Sequence, residues 1–156
     1  MNLKMAFVMD PIGSINIEKD TTFVLMLEAE ARGHEVWYLE LKDLFVRHGK
    51  PFGIATRVSL RREKGNHYTP GETETVELGS FDAVWMRKDP PFNMDYIYST
   101  YILSLVEDGG TKVLKNPKGI RESNEKLYTL YFPEWIPESI VSKDIQQLNL
   151  FLSDVG

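Results

Sequence analysis

Cysteine is missing from this chain. That excludes disulfides, a thiol nucleophile and thiolate metal ligands, and it suits a reducing cytoplasm. Histidine is scarce. His34, His48 and His67 fall at a strand start and in loops, without the spacing by which imidazoles share a metal, so packing or surface roles are expected. No apolar run approaches the roughly 20 residues that cross a bilayer. Met1-Asn2-Leu3-Lys4 carries one lysine ahead of a short strand-like run, which is not the layout of a secretory leader. Long basic runs are absent and the formal net charge is −5, which argues against nucleic acid as the partner. Ile12-Gly13-Ser14 has neither the GxGxxG nor the GK[ST] arrangement of a phosphate loop, and no GxSxG elbow or Ser-His-Asp set is present.

What is present is a length of 156 residues, enough for one domain with a real core. The most informative stretch is Val84-Trp85-Met86-Arg87-Lys88-Asp89-Pro90-Pro91-Phe92. It opens as an apolar strand and turns abruptly into two basic residues, an acid and two prolines. Proline lacks an N–H and fixes φ, so the strand must stop near Asp89, which is itself held extended. Met94, Ile97, Tyr98, Tyr101, Ile102, Leu105 and Val106 then form the expected buried stripe of a helix capped by Asn93. Leu3–Met9 reads as a second buried strand, and it too ends on Asp-Pro, at Asp10-Pro11. Taken singly, such a turn is a sharpened corner with solvated charges. Two of them on one sheet edge bring Asp10, Arg87, Lys88 and Asp89 to the same rim, at the end of the strands where α/β sheets bind ligands. That set suits a polar, zwitterionic ligand, and Asp10 with Asp89 is also open to reading as an acid–base pair.

Between these strands, Asp20 or Thr21 caps a helix whose buried stripe is Phe23, Met26, Leu27 and Ala31, and Gly33 ends it. His34–Leu39 returns as a strand, which makes a βαβ unit and a parallel sheet. Phe52–Leu60 and Thr73–Leu78 read as a hairpin or exposed flap, with a charged, flexible tip at 61–67 whose Arg61-Arg62 pair is a solvated face. Lys112–Lys115 is a short strand ended by Asn116-Pro117. A helix through Glu125-Lys126-Leu127 places Leu127, Leu130 and Tyr131 on an inner face. Glu138–Val141 reads as a short strand, and Lys143–Leu152 as a final helix with Ile145, Leu148 and Leu152 apolar. Taken alone, Lys126 is an ordinary surface lysine.

Val8-Met9-Asp10-Pro11, Met86–Phe92 and Asn124-Glu125-Lys126-Leu127, together with Leu27-Glu28-Ala29, Arg32-Gly33, Tyr96–Tyr98, Thr100–Leu103 and Asn116-Pro117, carry a resemblance that covers nearly the whole chain. It closely resembles the N-terminal part of the bacterial glutathione synthetases, which are ATP-grasp ligases. The MRKDPPF run is its most specific piece. The resemblance implies an α/β, Rossmann-like pre-ATP-grasp domain with a mainly parallel sheet flanked by helices and a β-hairpin or flap near residues 52–78. It implies a pre-ATP-grasp domain over 1–122 and the beginning of the ATP-grasp region over 123–156.

The family's reaction joins γ-glutamylcysteine to glycine with ATP and Mg2+ through an acyl phosphate, in the cytoplasm. By the resemblance, Arg87 matches an arginine at the peptide end of the cleft. Asp89, Asp10, Ile15 and Asn16 face the peptide, and Lys126 reaches the nucleotide phosphates. A guanidinium fork suits a carboxylate, and a lysine point charge suits a phosphate. The second phosphate lysine, the glycine-rich flap, the magnesium ligands and the adenine pocket have no counterpart before Gly156. The expectation is therefore a domain without its nucleotide lobes, excised or from a truncated gene, with no catalytic residue, no metal site and no tight cofactor of its own. Its partners would be the two substrates and the missing ATP-grasp lobes, with no nucleic acid and no membrane. A homo-oligomer is open. So are two other readings: another ATP-grasp peptide ligase, and a stand-alone α/β binding or interaction module.

Overall fold

The computed structural model describes residues 1–89, 91–123 and 126–156, which form two compact units, Met1–Gly119 and Ile120–Gly156. The first unit is built on a seven-stranded sheet. Its strands are β1 (Lys4–Val8), β2 (Glu35–Leu39), β3 (Leu44–Arg47), β4 (Lys50–Leu60), β5 (Tyr68–Glu77), β6 (Ala83–Met86) and β7 (Lys112–Leu114). Four of these, in the order β2-β1-β6-β7, are parallel. Their runs KMAFV, EVWYL and AVWM are nearly continuously apolar, as strands covered on both faces must be. Helix α1 (Thr21–Ala31) links β1 to β2, and α2 (Met94–Asp108) links β6 to β7.

β4 extends the sheet antiparallel to β2, pairs with β3 on the same edge, and carries β5 on the other. The expected hairpin is thus part of the main sheet. β3 escapes sequence reading because its turn rests on His48 (φ 51) and Gly49 (φ 76), which give the two-residue left-handed geometry that suits a tight hairpin. Gly53 is needed for close approach: a Cβ there would stand 2.4 Å from a Leu39 methyl. The hairpin tip is ordered by Arg61, which corrects its reading as a solvated side chain. Its guanidinium donates to Thr69 Oγ1 at 2.7 Å and also to Asn66 Oδ1.

Asp20 caps α1, accepting from Phe23 N at 2.8 Å, and Gly33 (φ 82) ends the helical run. The buried face is Thr22, Phe23, Met26 and Ala29; Ala31 is exposed, contrary to expectation. Met26 and Ala29 pack on Phe7, Met9, Val36 and Val58. Asn93 caps α2 as expected. The buried face of α2, however, is Tyr96, Ser99, Thr100, Leu103 and Val106, while Met94, Tyr98, Tyr101 and Leu105 are exposed. Small residues let the helix approach the sheet, and their hydroxyls are satisfied within the helix: Ser99 on Tyr96 O and Thr100 on Ile97 O.

The second unit buries no residue among those described. Leu127–Tyr131 is a single 3-10 turn. Leu127, Leu130 and Tyr131 are exposed and form no inner face, because so short a unit offers no core to pack on. The Asn124 and Glu125 of the expected helix lie outside the described residues. Glu138–Val141 pairs with no strand of the sheet. The last helix, α4, runs Ile145–Val155 with Asp144 as its cap. The short α3 covers Pro117–Glu122.

Candidate functional site

In the parallel core the chain steps from β1 to β2 in one direction and from β6 to β7 in the other. The switch point is therefore the crevice at the carboxyl ends of β1 and β6, where loops diverge and a ligand finds room. Val8 and Met86 are register partners there, and Arg87 N–H extends the ladder by donating to Val8 O at 2.7 Å. The two Asp-Pro turns do converge on this edge. Asp10 Oδ1 takes Lys88 Nζ at 2.8 Å, and its Oδ2 accepts from Asp89 N at 3.2 Å. Lys88 Nζ also donates to Asp89 O at 2.6 Å. Both Asp10 oxygens therefore splint one strand end to the other. Pro90 lies outside the described residues.

Arg87 points the other way, toward α1. Its Nε donates to Thr22 Oγ1 at 3.0 Å and one Nη donates to Thr21 Oγ1 at 2.7 Å. Among the described residues no carboxylate pairs with it. Two of the five donors of the guanidinium are thus held by neutral hydroxyls. It borders a polar cleft of about 210 Å³ lined by Asn16, Lys19, Asp20, Thr21, Thr22, Arg87 and Asp89. The cations Arg87 and Lys19 face a rim that also holds the Asp89 carboxylate; Asp20 is occupied as the helix cap. A larger cavity of about 510 Å³ lies on the α2 side of Lys88, walled largely by Leu41, Leu44, Pro91, Tyr98 and Ile102. Burial raises the Tyr96 phenol above its ordinary range, and the charge of Asp89 adds to the rise.

The residues singled out from sequence fare differently. Arg87, Asp89 and Asn16 line one cleft. Asn16 also shapes it, since its carbonyl accepts from Lys19 N and Asp20 N, both at 2.9 Å. Ile15 is half-buried against the core cluster and does not line that cleft, and Asp10 stands behind Asp89. Lys126 belongs to the second unit, where it is exposed and its carbonyl accepts from Thr129 N at 3.3 Å. Lys19, Thr21 and Thr22 escape sequence reading. Thr21 stood as a candidate cap; once Asp20 takes that role, the two threonine hydroxyls are available to an outside donor. Among the described residues, no three of His, Asp and Glu converge as a metal site, and no helix is long and apolar enough to cross a membrane.

A parallel β2-β1-β6-β7 core, with helical crossovers diverging from a polar cleft at its switch point, defines a Rossmann-like α/β domain. The chain belongs to the family of prokaryotic glutathione synthetase N-terminal domains, whose model matches residues 3–121. Among curated proteins it is 43% identical over 156 residues to the glutathione synthetase of Vibrio vulnificus (strain YJ016), covering 100% of this chain and 49% of that protein. It is 42% identical over 154 residues to the glutathione synthetase of Yersinia pestis, covering 99% of this chain and 48% of that one. The corresponding figures for the Salmonella typhi glutathione synthetase are 40% over 154 residues, 99% and 49%. The chain thus spans about half the length of the curated relatives it matches.

Proposed function

We propose that this domain forms the γ-glutamylcysteine side of a glutathione synthetase active site. The observation that carries the reading is Arg87: a guanidinium held by two threonines, with no carboxylate partner among the described residues, beside Lys19 and Asp89 in a cleft at the switch point. A peptide end bearing a carboxylate and an ammonium matches that charge pattern, with the carboxylate toward Arg87 and Lys19 and the ammonium toward Asp89. Asn16 supplies the loop-side wall, and Ile15 anchors that loop on the core. Asp10 orients Asp89 from behind.

In the full reaction ATP transfers its γ-phosphoryl to the cysteinyl carboxylate of γ-glutamylcysteine, and the amine of glycine displaces phosphate from the acyl phosphate. Magnesium, when bound, neutralises charge that builds on the phosphates. On this reading the part of this chain's own residues is binding and orientation of the peptide. On this reading residues 1–122 form the pre-ATP-grasp domain and 123–156 open the ATP-grasp region, with Lys126 directed to a nucleotide phosphate and the whole working in the cytoplasm.

The test is an assay of a protein that carries this domain at the full length of its relatives, supplied with γ-glutamylcysteine, ATP and Mg2+ and with glycine or other amines. Glutathione and ADP formed in equal amounts support the reading. Turnover only with a different acceptor would reassign the domain to another peptide ligase. Absence of turnover with any acceptor would make it a binding module.

A further inference from the structure

We propose that His67 is a positioning residue for the cleft: from the β4–β5 hairpin it fixes the loop that carries Asn16 and Lys19 and delivers Thr21 and Thr22 to Arg87. The proposal rests on the reading of that cleft as the peptide site.

The Ile12 peptide is held on both sides by side chains from elsewhere in the fold. Its N–H donates to the hydroxyl of Tyr38, on β2, at 3.2 Å. Its carbonyl meets His67 Nε2 at 2.7 Å. A carbonyl can only accept, so Nε2 carries the proton. Tyr38 is itself oriented by Glu40, to whose Oε1 it donates at 2.8 Å. His67 is only 6% exposed and Ile12 only 3%, so water cannot readily replace either partner.

The same imidazole meets the far end of the loop. Its ring stands edge-on to Phe23, with centroids 5.6 Å apart and planes at 84°. Phe23 is fully buried in the first turn of α1 and directly follows Thr22. One side chain therefore brackets the segment from Ile12 to Phe23, which contains Asn16, Lys19, Thr21 and Thr22. Between the brackets the segment is tied internally by Asn16 O, which accepts from Lys19 N and Asp20 N, and by the Asp20 cap. Removing the Nε2 donor leaves a buried carbonyl unpaired, and the loop regains a partner only by shifting. Such a shift moves the threonines that hold Arg87, so the effect appears in binding of the peptide and spares a nucleotide bound elsewhere.

The experiment compares His67→Phe with His67→Gln. Phenylalanine keeps a ring against Phe23 and removes the donor, whereas the glutamine amide can place a donor near the position of Nε2. In a full-length protein carrying this domain, His67→Phe should raise the KM for γ-glutamylcysteine about three- to tenfold, the range of one lost hydrogen bond. The KM for ATP should stay constant, and His67→Gln should lie near the parent. Equal peptide KM for parent and Phe variant, or an equal rise in both KM values, would overturn the proposal. A second measurement, on the 156-residue chain, does not depend on catalysis. The amides of Lys19 and Asp20 should exchange with solvent faster in His67→Phe than in His67→Gln. Unchanged exchange would remove the clamp. Changed exchange in a protein that makes no glutathione would keep the clamp and reject the peptide site.

Discussion

The Nε of Arg87 donates to the hydroxyl of Thr22 at 3.0 Å, across the gap between the end of β6 and the first turn of α1, and Thr22 is only 4% exposed. This contact converts a long, flexible side chain into a fixed cation. Losing the guanidinium removes a charge-assisted hydrogen bond worth roughly 1.5–3 kcal/mol, about ten- to a hundredfold. Arg87→Ala in a full-length protein should raise the γ-glutamylcysteine KM by that factor and spare ATP binding. Thr22→Val keeps the shape and removes only the acceptor, so its effect should be smaller, and Thr22→Ser should restore it. Since both act on one contact, the double variant should fall short of the sum of the singles. Full additivity would separate Thr22 from the role of Arg87, and unchanged kinetics in Arg87→Ala would take it out of the site.

Asp10 gives a contrasting case. Its oxygens are spent on Lys88 Nζ and on Asp89 N–H, with side chains 37% and 19% exposed for Asp10 and Lys88. A pair with its carboxylate this open to water is worth about 1 kcal/mol. Asp10→Ala should therefore lower stability in urea unfolding only slightly, while the peptide KM rises because the Asp89 N–H loses its acceptor. A stability loss with unchanged KM would make Asp10 purely a splint between strands.

These contacts show what the sequence could and could not reveal. The Asp-Pro ends of β1 and β6, the Asn93 cap and the βαβ order were legible because each follows from local chemistry: proline stops a ladder, asparagine caps, and apolar runs are buried. The buried face of α2 was not. Met94, Tyr98, Tyr101 and Leu105 have the hydrophobic spacing and are exposed; of the expected stripe Val106 is buried, beside Tyr96, Leu103 and the small polar Ser99 and Thr100, whose hydroxyls are satisfied by carbonyls of their own helix. Composition does not say which of two faces meets a sheet. The cleft was half legible. Arg87, Asp89 and Asn16 stood out, but Thr21, Thr22 and the His67–Ile12 bond depend on contacts between residues 55 or more positions apart. Nothing local announces those.

Tyr38 offers a test by pH. Burial, first, and its bond to Glu40 hold its phenol well above the ordinary value of 10.0. The folded state therefore binds the proton more tightly than the unfolded state. The stability that follows is complete below the ordinary value and is lost as pH rises above it. Unfolding free energy should fall more steeply above that value in the parent than in Tyr38→Phe. In ultraviolet titration Tyr38 should ionise late, with Tyr96 displaced in the same direction. Equal alkaline slopes in the two proteins would show that Tyr38 titrates as an ordinary tyrosine.

Lys126 separates the two halves of the reading. If its ammonium meets a nucleotide phosphate, Lys126→Met in a full-length protein should raise the KM for ATP or lower kcat while the peptide KM holds. A solvated surface lysine would instead leave kinetics unchanged and alter stability by less than about 0.5 kcal/mol. Steady-state kinetics with ATP varied decides between them.

The final prediction concerns the 156-residue chain as it stands. Its core around Phe7, Met9, Met26, Val36 and Val58 is continuous across the sheet and α1, so a cooperative fold is expected. The cleft at Arg87, about 210 Å³, is smaller than the roughly 300–1,000 Å³ of pockets that enclose most of a small ligand. A peptide docked there keeps much of its surface in water, and a few polar contacts must offset the entropy lost on association. γ-Glutamylcysteine should therefore bind with a Kd near the millimolar range, about −4 kcal/mol. In an NMR titration the shifts should centre on the amides of Asn16, Lys19, Thr22, Arg87 and Asp89. ATP with Mg2+ should bind no tighter than about millimolar, since the glycine-rich flap, the magnesium ligands and the adenine pocket that the family resemblance calls for have no counterpart in this sequence. ADP release should accordingly stay at background. Micromolar peptide binding, shifts centred away from these five residues, or steady glutathione formation by the purified chain would each show that the recognition or the chemistry resides in a different part of the domain.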